Sequence, residues 1–169
     1  MKLIREVPDF PEPGVSYKDI TTLLADGPAL SEVVKLMSQP FANSAIQKVL
    51  GIEARGFILG APIALELNCG FVPVRKEGKL PADTLKESYE LEYGKNTIEM
   101  HRDAVKGGER VLIVDDVLAT GGTMQATCKL TKILGGEIVG LSFLAELSFL
   151  SGRNKLPNQR IESVLEFSQ

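Results

Sequence analysis

Asp115 and Asp116 follow an unbroken apolar run, Val111 to Val114, and lead into a turn of small residues, Ala119-Thr120-Gly121-Gly122-Thr123. β-Branched residues in such a run suit a parallel strand buried on both faces. The two carboxylates then fall at the carboxyl edge, where open α/β sheets bind ligands. Beyond them the glycines let the backbone approach an anion, and N–H groups of the turn and the following helix start can hold a phosphate. The plainer alternative is a strand–turn–helix whose Asp and Thr only cap the helix. A nucleotide-kinase P-loop is excluded, because no G-x-x-x-x-G-K-[ST] occurs and no lysine follows the glycines. An anion cradle beside an acid pair able to hold a vicinal diol describes a site for a ribose 5-phosphate.

Other groups fall at the same edge. The run Val49 to Ile52 ends in Glu53-Ala54-Arg55-Gly56, where backbone N–H groups and Arg55 would form a second anion site. Taken alone, an arginine at a strand end is more often a surface or capping residue. Arg75, Lys76 and Lys79 follow another apolar run, although a charge run is usually a solvated face. Tyr89, Leu91 and Tyr93 alternate, as on a strand with one face inward. Pro8, Pro11 and Pro13 preclude a helix or central strand, so the N-terminal arm should wrap the body.

These groups need a scaffold. Ala29 to Ser38 reads as a helix with Val33, Val34 and Met37 on one face. Lys48 to Ile52 and Phe71 to Val74 read as strands, with a short apolar helix, Gly56 to Leu67, between them. Pro62 places a bend or the helix's first turn at its position. Met124 to Leu134 is helical and stops at Gly135-Gly136, Ile138 to Leu144 is a strand, and Val164 to Phe167 a last short one. Residues 76–96 are polar and lack a period until Thr97, the mark of a functional or disordered segment. Alternating strands and helices predict one α/β domain over 1–169, a central, mostly parallel sheet flanked by helices.

The 169 residues include 44% hydrophobic and 24% charged side chains, ordinary for a soluble globular chain. A net charge of −3 gives no electrostatic case for nucleic acid. No apolar run suits a membrane span and the first residues lack a signal-peptide core, so a cytoplasmic protein is expected. Cys69 and Cys128 lack metal-ligand spacing, and a single histidine, His101, excludes a zinc site built on several imidazoles.

Residues 111–123 resemble the signature of type I phosphoribosyltransferases, which bind 5-phospho-α-D-ribose 1-diphosphate (PRPP). G-I-E-A-R-G-F at 51–57, R-K-E-G-K-L-P at 75–81, S-Y-E-L-E-Y-G at 88–94 and P-D-F-P-E-P-G at 8–14 resemble the adenine-specific branch, and the likeness runs from about Val7 to Leu156. The resemblance implies the type I phosphoribosyltransferase fold, with an N-terminal hood (1–25) and a flexible loop (76–96) closing over the site. It implies transfer of ribose 5-phosphate from PRPP to adenine, giving AMP and pyrophosphate in purine salvage, with Mg²⁺ held through substrate and water and no direct protein ligand. Asp115 and Asp116 would hold the ribose hydroxyls, with Ala119, Thr120, Gly121, Gly122 and Thr123 on the 5-phosphate. Glu53, Ala54, Arg55, Arg75, Lys76 and Lys79 would serve pyrophosphate, with Glu53 expected to orient the loop or waters. Ser16, Tyr17, Lys18 and Leu147 would receive adenine, Glu92 would accept its proton, and Tyr89 and Tyr93 belong to the closing loop. Arg75 and its neighbours would reach across a homodimer interface. Tyr17-Lys18 stands where the family usually has Phe-Arg, which loses a planar guanidinium. Another purine as substrate, a PRPP-sensing regulator and a catalytically dead homologue are the rival readings.

Overall fold

A computed structural model describes residues 3–90 and 95–168. In chain order the elements are β1 (Arg5–Pro8), β2 (Ser16–Asp19), α1 (Thr21–Leu24), α2 (Gly27–Ser38), β3 (Lys48–Ile52), α3 (Arg55–Glu66), β4 (Gly70–Lys76), β5 (Thr84–Glu90), β6 (Lys95–His101), β7 (Arg110–Leu118), α4 (Gly122–Ile133), β8 (Glu137–Leu147) and β9 (Ile161–Phe167). Short 3₁₀ turns cover Gln39–Phe41, Ser148–Leu150 and Gly152–Lys155.

Seven strands form one sheet in the order β5-β6-β4-β3-β7-β8-β9, parallel from β4 to β9 and antiparallel at β4–β6 and β5–β6. From β3 the chain moves to β4 on one side, and it later returns to place β7 on the other. The carboxyl ends of β3 and β7 therefore flank a topological switch point, where a crevice opens in sheets of this kind. β7 shows why its apolar run is continuous. Val111 and Ile113 enter one buried cluster with Met124 and Leu130 of α4, whereas Leu112 and Val114 enter the other with Leu59 and Ile63 of α3. A strand covered by helices on both faces has no polar side to offer.

Helix ends are set by local chemistry. Asp26 caps α2 by accepting the Ala29 N–H at 3.0 Å, with a proline in the first turn. Gly121 precedes α4 with φ of +77°, the left-handed geometry that glycine tolerates without strain.

The structure corrects three expectations. Pro62 lies well inside α3 and not in its first turn. Thr84–Glu90 and Lys95–His101 pair as an antiparallel hairpin on the edge of the sheet, so much of 76–96 is strand where an irregular segment was expected. Their polar residues masked the strand because an edge hairpin needs only one apolar face; Leu85 and Tyr89 supply it, packed against the core. β7 also runs through the acids to Leu118 and does not stop at them. Its ladder with β3 ends at Val114, while that with β8 continues to Leu118, so the acids border the crevice on the β3 side only.

The arm behaves as its prolines require. β1 and β2 form a separate two-stranded antiparallel ribbon outside the main sheet. Among the described residues no helix is long and apolar enough to cross a membrane.

Candidate active site

One cavity of about 380 Å³ opens at the crevice, and it gathers side chains that lie far apart in sequence. Asp115 and Asp116 enter from β7, Ala119 and Thr123 from the turn beyond it, and Glu53, Ala54 and Arg55 from the β3–α3 junction. Arg75 and Lys76 come from the end of β4, Ser16, Tyr17 and Lys18 from the hood ribbon, Leu147 from the end of β8, and Tyr89 from the hairpin.

The acid pair is held in a protein-lined niche. Asp116 is 5% exposed. Part of Asp115 reaches solvent, but its Oδ1 accepts the Asp116 N–H at 2.9 Å and lies against the start of α3, where a side chain at Gly56 would come within 2.9 Å of it. Burial, and then the negative charge of Asp116, push the Asp115 carboxyl well above its ordinary range. Burial also raises Asp116, offset first by the Arg55 guanidinium. Arg55 Nε lies 2.8 Å from Asp116 Oδ2, yet its N–H is not aimed at that oxygen, which accepts no hydrogen bond of good geometry. A buried carboxylate oxygen in that condition is poised for a further donor or cation.

Arg55 also reaches the hood. Its Nη1 donates to Tyr17 Oη at 2.5 Å, and its guanidinium carbon sits 5.3 Å from the centre of that ring. Tyr17 packs edge-on against Phe10 at 5.2 Å. One guanidinium thus spans the interval between the acid pair and the aromatic of the arm.

Arg75 is oriented from within. Glu53 Oε2 accepts Arg75 Nε at 3.0 Å and the Lys76 N–H at 3.1 Å, while Arg75 Nη1 donates to the Lys79 carbonyl at 3.0 Å. Glu53 therefore holds the cationic strand end. Lys79 is exposed and does not line this cavity. Thr120, Gly121 and Gly122 lie on the turn between two lining residues but do not line the cavity themselves. Lys18 is 7% exposed and its ammonium is paired with Glu6. Glu92 and Tyr93 lie outside the described residues.

Three supporting residues escaped sequence reasoning. A side chain at Gly152 would meet the Ala119 carbonyl at 2.2 Å, and one at Gly121 would meet the Gly152 carbonyl at 2.5 Å, so the 119–123 turn and the 152–155 turn touch backbone to backbone. Glu99 is buried and accepts the Lys79 and Leu80 N–H groups at 2.9 Å each. Burial alone would raise its carboxyl, but N–H donors from Leu80, Gly78 and Lys79 hold it below the usual range. Glu146 receives a two-pronged Arg153 guanidinium at 2.7 Å and 2.7 Å beside Leu147. Their partners are too distant in sequence for a spacing rule to find.

Comparison with known proteins gives a consistent result. Residues 19–156 match the phosphoribosyl transferase domain family. The adenine phosphoribosyltransferase of Myxococcus xanthus is 57% identical over 164 residues, covering 97% of this chain and 89% of the relative. That of Geotalea daltonii is 54% identical, covering 98% and 96%. Among solved structures, the enzyme of Thermoanaerobacter pseudethanolicus superposes with a TM-score of 0.95 at 50% identity, covering 98% of this chain and 96% of that one. The Saccharomyces cerevisiae enzyme, solved with adenine and an imino-altritol bisphosphate, gives 0.92 at 35% identity, covering 96% and 94%. The chain belongs to the phosphoribosyl transferase domain family and, within it, to the adenine phosphoribosyltransferases.

Proposed function

We propose that this chain transfers the 5-phosphoribosyl group of PRPP to adenine, releasing AMP and pyrophosphate in purine salvage. The observation that carries this reading is the single cavity in which an acid pair, an anion turn, two cationic strand ends and an aromatic arm converge. Ribose hydroxyls would sit on Asp115 and Asp116, with the 5-phosphate on the Ala119–Thr123 turn at the start of α4. As the bond from the anomeric carbon to pyrophosphate lengthens, positive charge grows on the ribose, and the acid pair stabilises it. The departing pyrophosphate gathers negative charge, which Arg55, Arg75 and Lys76 meet.

The donor set suits a Mg²⁺ that arrives on the substrate. Among the described residues no cluster of three or more His, Cys, Asp or Glu side chains gathers as a cage, and the unsatisfied Asp116 Oδ2 with Asp115 would face such an ion through ribose oxygens and water. When bound, the ion supplies countercharge to pyrophosphate.

Adenine would lie between Tyr17 and Leu147. The Ser16 hydroxyl and the Lys18 ammonium are both bonded to Glu6, which supports reading of the base edge by backbone groups. Glu92 is the proposed acceptor of the adenine proton. A homodimer is the proposed active unit: Lys79 is exposed and does not line its own cavity, as suits a residue serving a neighbouring copy. Location in the cytoplasm belongs to the same proposal.

Steady-state kinetics with PRPP, Mg²⁺ and each purine in turn test the assignment. Adenine is expected to exceed hypoxanthine and guanine in kcat/KM by roughly 10⁴-fold, the discrimination available to a site built around a substrate hydrogen bond. Equal use of guanine or xanthine would leave phosphoribosyl transfer standing and remove the choice of base.

A further inference from the structure

Behind the arm's base-facing side, the hood is fastened to the end of the last strand. An ammonium as buried as that of Lys18 needs close partners. Its Nζ donates to the Glu6 carboxylate across the β1–β2 ribbon and to Ser16 Oγ at 3.2 Å, and it lies 5.0 Å from the centre of the Phe167 ring. Glu6 is the register partner of Lys18 in that ribbon. Phe167 ends β9, where it is the register partner of Leu147, and its carbonyl accepts Ser148 Oγ at 3.2 Å. Two short chains of contact therefore meet at one nitrogen. Tyr17 is the covalent neighbour of Lys18, and Leu147 is the strand neighbour of Phe167. These are the two residues between which the base would lie.

We propose that Glu6 and Phe167 are positioning residues for the base: they seat the Lys18 ammonium, and so fix the ribbon bearing Tyr17 against the strand bearing Leu147. The carboxylate and the ring face offset the desolvation of the cation, which makes its position well defined. Lys18 then acts behind the base and not on its edge, a role open to a slender ammonium reaching a ring. The inference deepens the adenine-transfer reading and rests on it.

Phe167→Leu and Phe167→Tyr separate the clasp from general packing. Leucine keeps apolar bulk and removes the π face; tyrosine keeps the face. Phe167→Leu is expected to raise KM for adenine about threefold to tenfold, the scale of a partly desolvated cation–π contact, with kcat and the KM for PRPP at wild-type values. Phe167→Tyr should restore the adenine KM, and Glu6→Gln should shift it in the same direction as leucine does. Amide hydrogen exchange at Ser16–Asp19 should quicken in Phe167→Leu, while Arg110–Leu118 exchange at wild-type rates. Wild-type adenine KM with unchanged exchange in Phe167→Leu, equal impairment by leucine and tyrosine, or a joint rise in both substrates' KM with faster exchange throughout would each overturn the proposal. Exchange needs no turnover, so a wild-type protein unable to use adenine would count against the assigned reaction while the ribbon's exchange still decides the clasp.

Discussion

Asp115 carries two opposed demands. In the proposed role its carboxyl would be ionised beside Asp116 to stabilise a developing cation, yet burial and that neighbour's charge raise it well above the ordinary range. Replacing either acid with asparagine is expected to lower kcat by about 10²-fold, the scale for losing one preorganised charge. Stability should move the other way for Asp115→Asn. In the unfolded chain an aspartate titrates near about pH 3.9, well below the folded value, so the native state binds the extra proton. The stability contributed by this group is full below the unfolded value and is lost as pH rises through the folded one. Asp115→Asn should therefore have a higher Tm than wild type at pH 7.5, by about 2–4 °C for each kcal/mol recovered, and match it near about pH 4. A melting series across that range checks the sign; a Tm lower than wild type at pH 7.5 would show that the pair is not strained by its charge.

At the scale of elements, the 119–123 turn packs backbone to backbone against a second turn, 152–155, further along the chain. Gly152→Ala would drive a methyl into the Ala119 carbonyl, a backbone atom with little freedom to retreat. Overpacking of this kind costs about 1–3 kcal/mol, and displacement of the turn should raise the KM for PRPP more than that for adenine. Equal KM values in mutant and wild type would show that the turn tolerates the shift. The elements differ in how legible they were beforehand. β3, α2, α4 and β7 announced themselves because burial on one or both faces imposes a period or an unbroken apolar run. The β5–β6 hairpin did not, since an edge pair with polar residues outward has little pattern to show. The lining of the cavity was largely visible from motifs at strand ends, where ligand chemistry concentrates. What holds those motifs was not: Glu99 under the 77–81 turn, Glu146 under Leu147 and Gly152 against Ala119 make contacts that only the folded chain brings together.

For the whole molecule, the open matter is whether one chain completes its own site. Arg75 is committed to Glu53 and to the Lys79 carbonyl, and the Lys79 side chain is exposed. Light scattering should report a dimer at assay concentration. If Lys79 serves the neighbouring site, Lys79→Ala and Asp116→Asn chains, each impaired alone, should recover about a quarter of wild-type activity when mixed and reassembled, because half the dimers are mixed and each of those holds one intact site. No recovery on mixing would place Lys79's contribution within its own chain.

Among the described residues, the ribbon that carries Tyr17 and Lys18 shares no ladder with the sheet that carries Asp115 and Asp116. On the proposed assignment, one wall of the base site, Tyr17, rests on a ribbon outside the sheet, while the other, Leu147, belongs to the sheet that carries the acid pair. If that assignment holds, variation in residues 15–18 would alter one wall of the base site and leave the sheet-borne acid pair in place, so a lineage, or a laboratory library, could try new nucleobases against an unchanged sugar-phosphate half.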